Sequence, residues 1–153
     1  MLVFSEYQTD TIDLALDFYG YEDCPKNYEF GPSVRDNFVL HYITKGKGVL
    51  HFNKKEIHLE AGDLFLLPKN KVTYYKADEE EPWSYYWIGI SGTKVSDFMR
   101  FSTLHEKGFL KKTEVETERI GQFMEQLVHK AEASKMTSHY QLHLLSQIYE
   151  LLF

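Results

Sequence analysis

Cysteine is nearly absent from this sequence. Cys24 is the only one in 153 residues, so no disulfide can close within the chain, and no sequence neighbour of Cys24 depresses its thiol pKa as a nucleophile requires. Cationic strips are missing too. There are 17 Lys and Arg against 23 Asp and Glu, a formal net charge of −6, and no stretch gathers the basic residues into a line that could follow a phosphate backbone. This segment is therefore not expected to bind DNA by itself. Long apolar runs are also lacking: nothing approaches the roughly 20 residues of a membrane-spanning helix. The chain does not start with a short charged segment followed by an apolar one, as a signal peptide does. No membrane partner is expected, and the expected compartment is the cytoplasm.

What the chain has in abundance is aromatic rings. Eleven Tyr, eleven Phe and two Trp make up 16% of it, and such rings fill a barrel, line a ligand cavity, or do both. With 43% hydrophobic residues, the length suits one compact domain or a barrel with a helical appendage.

Up to about residue 91 the pattern has the period of strands. Ile12, Leu14, Leu16 and Phe18 alternate with Asp13, Ala15 and Asp17. Phe38 to Thr44 is an extended run ending at Gly46-Lys47-Gly48, and Val49 to Phe52 turns through Asn53-Lys54-Lys55 into Ile57 to Leu59. Ala61-Gly62-Asp63 is a tight turn before Leu64 to Leu67, which Pro68 ends. Val72 to Lys76 and Trp83 to Ser91 are two further strands, and the acidic stretch between them, Asp78 to Pro82, is read as a solvated loop. Tyr19 to Phe30 has little periodicity and is expected to be a loop able to close over the barrel mouth.

Beyond Gly92 the period becomes helical. Ile120, Phe123, Met124, Leu127 and Ala131 predict a helix near 114 to 133, with Thr113 and Glu116 as a capping box. Tyr140, Leu144, Leu145, Ile148, Leu151 and Leu152 predict a second helix, with Ser138 and Gln141 placed as another such box. The chain stops inside that helix on Leu151-Leu152-Phe153, and a continuation is expected.

Phe30-Gly31-Pro32, Arg35-Asp36, His41-Tyr42, Gly46-Lys47-Gly48, Ala61-Gly62-Asp63 and Pro82-Trp83 with Tyr86-Trp87 occur in this order. On these motifs residues 1 to 153 resemble the N-terminal domain of AraC-family transcription regulators, in particular the sugar-responsive branch. The resemblance implies a mainly β fold with C-terminal α structure: a cupin-like (jelly-roll) antiparallel β-barrel over 1–110, followed by two helices over 111–153. It also implies a small-molecule effector, expected to be a sugar or oligosaccharide, and a homodimer formed through the C-terminal helices. DNA is then contacted only by a helix-turn-helix domain that these 153 residues do not contain.

Many cupins are metal enzymes, so the metal positions of that superfamily are the test for catalysis. Counting from Gly46, its Glu position falls on or near Val39 and its two His positions fall within Ser33-Val34-Arg35. The later His position falls on Thr73. None of these supplies the imidazole and carboxylate set a divalent cation needs. His139 and His143 are four apart, but no acidic pair accompanies them. No metal, no cofactor and no catalytic residue is expected.

The same alignment locates a ligand site, because metal-ligand positions face the barrel interior and residues two apart on a strand share a face. Thr73 inward brings Tyr75 inward, and Val39 inward brings His41. Trp83, Tyr85 and Trp87 share one face. The resemblance to the family's arabinose sensor makes Trp87 the plane on which a sugar stacks and Tyr75 a ligand contact. Its sugar-binding arginine precedes the proline, where this chain has Gly31; Arg35, four residues on, is the substitute. The candidate ligand-binding set is Arg35, His41, Tyr75, Tyr85 and Trp87. Two other readings stay open: a metal-free sugar epimerase or isomerase using His41 and Tyr85, and a scaffold module whose aromatic interior is only core.

Overall fold

The computed structural model describes residues 3–6, 15–34, 36–100 and 102–134. Arg35, the predicted second helix with His139 and His143, and the first residues of the Ile12 to Phe18 pattern lie outside the described residues. The described residues form ten strands and three helices: β1 (Val3–Glu6), β2 (Ala15–Asp23), β3 (Glu29–Ser33), β4 (Phe38–Lys45), β5 (Lys47–Phe52), β6 (Lys55–Glu60), β7 (Leu64–Leu67), β8 (Thr73–Ala77), β9 (Ser84–Ser91), α1 (Thr93–Arg100), α2 (Thr103–Lys107), β10 (Phe109–Leu110) and α3 (Glu118–Ser134). The strands make two antiparallel sheets, ordered β1-β2-β9-β4-β7-β10 and β3-β8-β5-β6. This is the cupin-like jelly roll that the resemblance implies, with α1 and α2 added between the last long strand and the expected helices.

Two apolar layers follow from strand alternation. The inner faces of both sheets meet around Val39, Ile43, Leu50, Phe65, Tyr75 and Trp83. The outer face of the six-stranded sheet, with Leu40, Tyr86, Ile88 and Ile90, packs against Val95 and Met99 of α1 and Met124, Leu127 and Ala131 of α3. Strands β4 and β9 pair with each other, aligning His41 with Trp87 and Tyr42 with Tyr86. They form a wall with the barrel interior on one side and the helices on the other.

The expected loop from Tyr19 to Phe30 is not one. Tyr19 to Asp23 complete β2, and Glu29 and Phe30 open β3. Only the turn at 24–28 remains between them, pinned by the Cys24 N–H donating to the Trp83 carbonyl at 3.1 Å and the Tyr28 N–H donating to that of Pro25 at 3.1 Å. Pairing of Tyr19 to Asp23 with β9, and of Glu29 and Phe30 with β8, supplies hydrogen-bond partners that local periodicity does not reveal.

The first long helix also starts later than expected. Residues 111–115 form a turn, because the buried Asp63 carboxylate accepts from the Lys112 N–H at 3.0 Å and the Lys112 ammonium donates to the Ala61 carbonyl at 2.8 Å. Thr117, not Thr113, precedes the helix, and its hydroxyl donates to the Gly62 carbonyl instead of capping its own first turn. The Ala61-Gly62-Asp63 turn thus ties the barrel to α3.

Candidate ligand-binding site

A cavity of about 210 Å³ opens between the sheets. Its deep wall is made of Val39 and His41 from β4, Leu67 from β7, Tyr75 from β8, and Tyr85 and Trp87 from β9. All are buried, with His41 and Tyr85 each 2% exposed, Tyr75 4% and Trp87 8%. Phe18 and Glu22 from β2, with Tyr28 at the end of the 24–28 turn and Phe30 from β3, line the remainder and are only partly buried, so the mouth lies between these two strands.

Four of the five residues expected at the site are therefore brought together: His41, Tyr75, Tyr85 and Trp87. Arg35 lies outside the described residues. The alignment of β2 with β9 explains the other contributions. Gly20 stands opposite Trp87 and Glu22 opposite Tyr85, so β2 adds a carboxylate and leaves the space beside the indole free of a side chain. Phe18, Glu22, Tyr28 and Phe30 were not among the expected site residues. The signal for Phe18 and Glu22 was the continued alternation of β2, hidden by the apparent break at Gly20.

The rings hold one another in place. His41 lies flat on Phe65, centroids 4.1 Å apart and planes at 8°, and meets Tyr85 edge-on at 4.9 Å. Tyr85 meets Trp87 at 5.8 Å and 78°, while Phe30 stacks on Tyr75 at 5.3 Å. Trp83 lies beneath, fully buried, against Phe65 at 5.2 Å. The Tyr85 hydroxyl reaches the Tyr75 hydroxyl at 3.5 Å. Burial, followed by the nearby Tyr75, drives the Tyr85 phenol far above its ordinary pKa, so its phenolate is not on hand as a base at neutral pH. Burial also raises Glu22 above the usual carboxylate range. The set offers flat apolar faces with a few hydroxyl, imidazole and carboxylate groups among them, which suits a small polar ligand with an apolar side.

The place that the resemblance gives to the arabinose sensor's arginine is closed here. Gly31 has φ +95°, and a Cβ on it would lie 2.5 Å from the Thr73 carbonyl oxygen. Val39 and Thr73, at two of the superfamily's metal positions, are buried as the alternation requires. Among the described residues no three His, Cys, Asp or Glu side chains converge on a point.

A family model described as the AraC-like ligand binding domain matches residues 15–152. The chain belongs to this family. Curated relatives of this AraC-like domain include the Msm operon regulatory protein of Streptococcus mutans, 46% identical over 105 residues, covering 69% of this chain and 38% of that protein. The raffinose operon transcriptional regulatory protein RafR of Pediococcus pentosaceus is 41% identical over 100 residues, covering 63% and 36%. The lactose operon transcription activator of Staphylococcus xylosus is 32% identical over 98 residues, covering 64% and 35%. The AraC-like domain thus spans little more than a third of the length of these regulators. Among solved structures, the Escherichia coli protein YhaK matches 61% of this chain and 46% of its own with a TM-score of 0.52 at 13% identity, a likeness of fold alone.

Proposed function

We propose that this AraC-like domain is the effector-sensing part of a longer cytoplasmic transcription regulator, and that it binds one ring of a sugar or oligosaccharide in the barrel against Trp87. The observation that carries this reading is the convergence of Trp87, Tyr75, Tyr85 and His41 on one cavity. Its volume is on the scale of a hexose ring, and the further rings of an oligosaccharide would leave through the mouth between β2 and β3. A pyranose has a flat face of C–H groups that gains dispersion contact on an indole plane, while the neighbouring polar groups fix its hydroxyls. Relatives named for raffinose and lactose operons support a carbohydrate effector.

The wall of β4 and β9 offers a route from ligand to helix. His41 and Trp87 face the cavity; their chain neighbours Tyr42 and Tyr86 face α3. Tyr42 lies so close to Gly121 that a Cβ there would meet its ring at 2.1 Å, and the Tyr86 hydroxyl is 3.0 Å from His129 Nε2. Ligand binding acts as a switch only if one arrangement of this wall and helix layer binds sugar more tightly than another. Homodimerisation through the C-terminal helices, and DNA contact by a domain outside these residues, complete the reading; no catalytic role is assigned.

The test is the melting temperature of the chain with raffinose, melibiose, lactose and their component monosaccharides, repeated with Trp87→Ala. Ligand at 100 times its Kd stabilises by about 2.7 kcal/mol, or roughly 5 to 10 °C for a domain of this size. A sugar-specific rise abolished by Trp87→Ala supports the proposal. A cooperative melt unmoved by every sugar overturns it, and turnover of a bound sugar would turn the reading to an epimerase or isomerase.

A further inference from the structure

Glu22 stands out in the cavity because no cationic side chain lies beside it among the described lining residues. It is the only carboxylate among the described lining residues, and those residues include no lysine or arginine. Its place on β2 opposite Tyr85 puts it at the mouth, across from the deep wall that holds His41 and Trp87. No described residue donates a hydrogen bond to it. Among the described residues, the titratable groups that line the cavity with it are the phenols of Tyr28, Tyr75 and Tyr85 and the imidazole of His41, and the Cys24 thiol, two residues along, feels its charge. A half-buried carboxylate without a donor is costly unless a ligand brings one.

We infer that Glu22 is the specificity-determining residue of the site, accepting hydrogen bonds from the hydroxyls of an uncharged sugar ring and refusing sugars that carry a carboxylate or phosphate there. This rests on the sugar reading above and deepens it. A carboxylate accepts only, with two oxygens and about four lone-pair sites, so it matches a pair of neighbouring hydroxyls. An anionic substituent brings no donor and places like charge against like in a poorly hydrated cleft. The raised pKa of Glu22 has the same origin: water is scarce around it, and donors from a ligand count for more.

The experiment is isothermal titration of the 153-residue chain and of Glu22→Gln and Glu22→Asp with raffinose, melibiose, lactose and galactose, and with galacturonate and galactose 6-phosphate. In the unaltered chain, at least one neutral sugar binds and both anions bind at least about 100-fold more weakly than galactose. Glu22→Gln weakens the neutral sugars by about 10-fold or more, the range expected on losing a hydrogen bond to a charged group, and narrows the gap to the anions. Glu22→Asp keeps the discrimination and loses part of the affinity. Neutral-sugar affinity within twofold after Glu22→Gln overturns the assignment of Glu22 alone, as does galacturonate binding the unaltered chain as tightly as galactose. Failure of every neutral sugar to bind the unaltered chain overturns the sugar reading itself, and Glu22's role with it. Because the galactose and galacturonate comparison uses the unaltered chain, the inference stays testable even if a variant does not fold.

Discussion

Replacing Gly48 by alanine puts a methyl group where the indole of Trp83 already lies. The added Cβ would stand 2.5 Å from Trp83 Cε3 and Cζ3 and 2.6 Å from Cδ2, whereas carbon atoms rest about 3.5 to 4.0 Å apart. Something must move by roughly 1 Å. The indole has no free direction: it is fully buried, nearly parallel to Phe65 at 5.2 Å, and flanked by Tyr75 at 6.0 Å and Tyr85 at 6.1 Å. The Trp83 backbone carbonyl also accepts from the Cys24 N–H. Overpacking of this kind costs about 1–3 kcal/mol, and alanine regains about 0.5–1 kcal/mol over glycine in a strand. From the middle of both ranges the expected net loss is about 1 kcal/mol, a fall in Tm of roughly 2 to 4 °C. Thermal unfolding followed by circular dichroism measures it. Trp83→Phe supplies the control, since the smaller ring makes room; in that background Gly48→Ala should cost at least about 1 kcal/mol less. Trp83→Phe should itself be mild for a core tryptophan, because Trp83 Nε1 is buried without a partner among the described residues and phenylalanine removes that donor. An unchanged or raised Tm for Gly48→Ala would refute the packing described for the barrel floor.

Asp63→Ala should destabilise by about 2–3 kcal/mol, since the buried carboxylate accepts from both Glu60 and Lys112 backbone N–H groups; limited proteolysis should then speed up between 108 and 117. Burial pushes the Cys24 thiol up to about 12 from an ordinary 9.0. At pH 8 its reaction with iodoacetamide should therefore run roughly a thousandfold slower than that of a free cysteine, measured by mass spectrometry on the native chain. Affinity for a neutral sugar should fall as pH drops through the raised pKa of Glu22, because protonation removes the charge and leaves the carboxyl fewer sites to accept hydrogen bonds, and Glu22→Gln should flatten that profile in titrations at stepped pH. Without ligand the sign is opposite: a folded-state pKa above the unfolded one favours the folded chain at low pH, and that contribution is lost as pH rises through the raised value.

His41, Tyr75, Tyr85 and Trp87 were legible because β4, β8 and β9 alternate cleanly, and a period of two fixes which side chains share a face. The second half of β2 was not. Its inward residues run Phe18, Gly20, Glu22, and the two that break the apolar pattern are those that stand beside Trp87 and Tyr85. Helix α1 is short and rests on Val95 and Met99, too few apolar positions to stand out as a period. Thr113 and Glu116 have the form of a capping box, yet the start of α3 is set by contacts 50 or so residues away in sequence, from Asp63 to Lys112 and from Gly62 to Thr117. Local spacing carries no record of that tertiary tie. The cavity itself depends on where two sheets diverge, which no single strand encodes.

The measurement that tests the central claim most directly is a crystal structure of this chain grown with raffinose. The account predicts one sugar ring inside the barrel, its C–H face on Trp87 and hydroxyls directed to Glu22, His41 and Tyr75. A sugar bound on the outer surface, with the space between Trp87 and Glu22 filled by protein side chains, would contradict it.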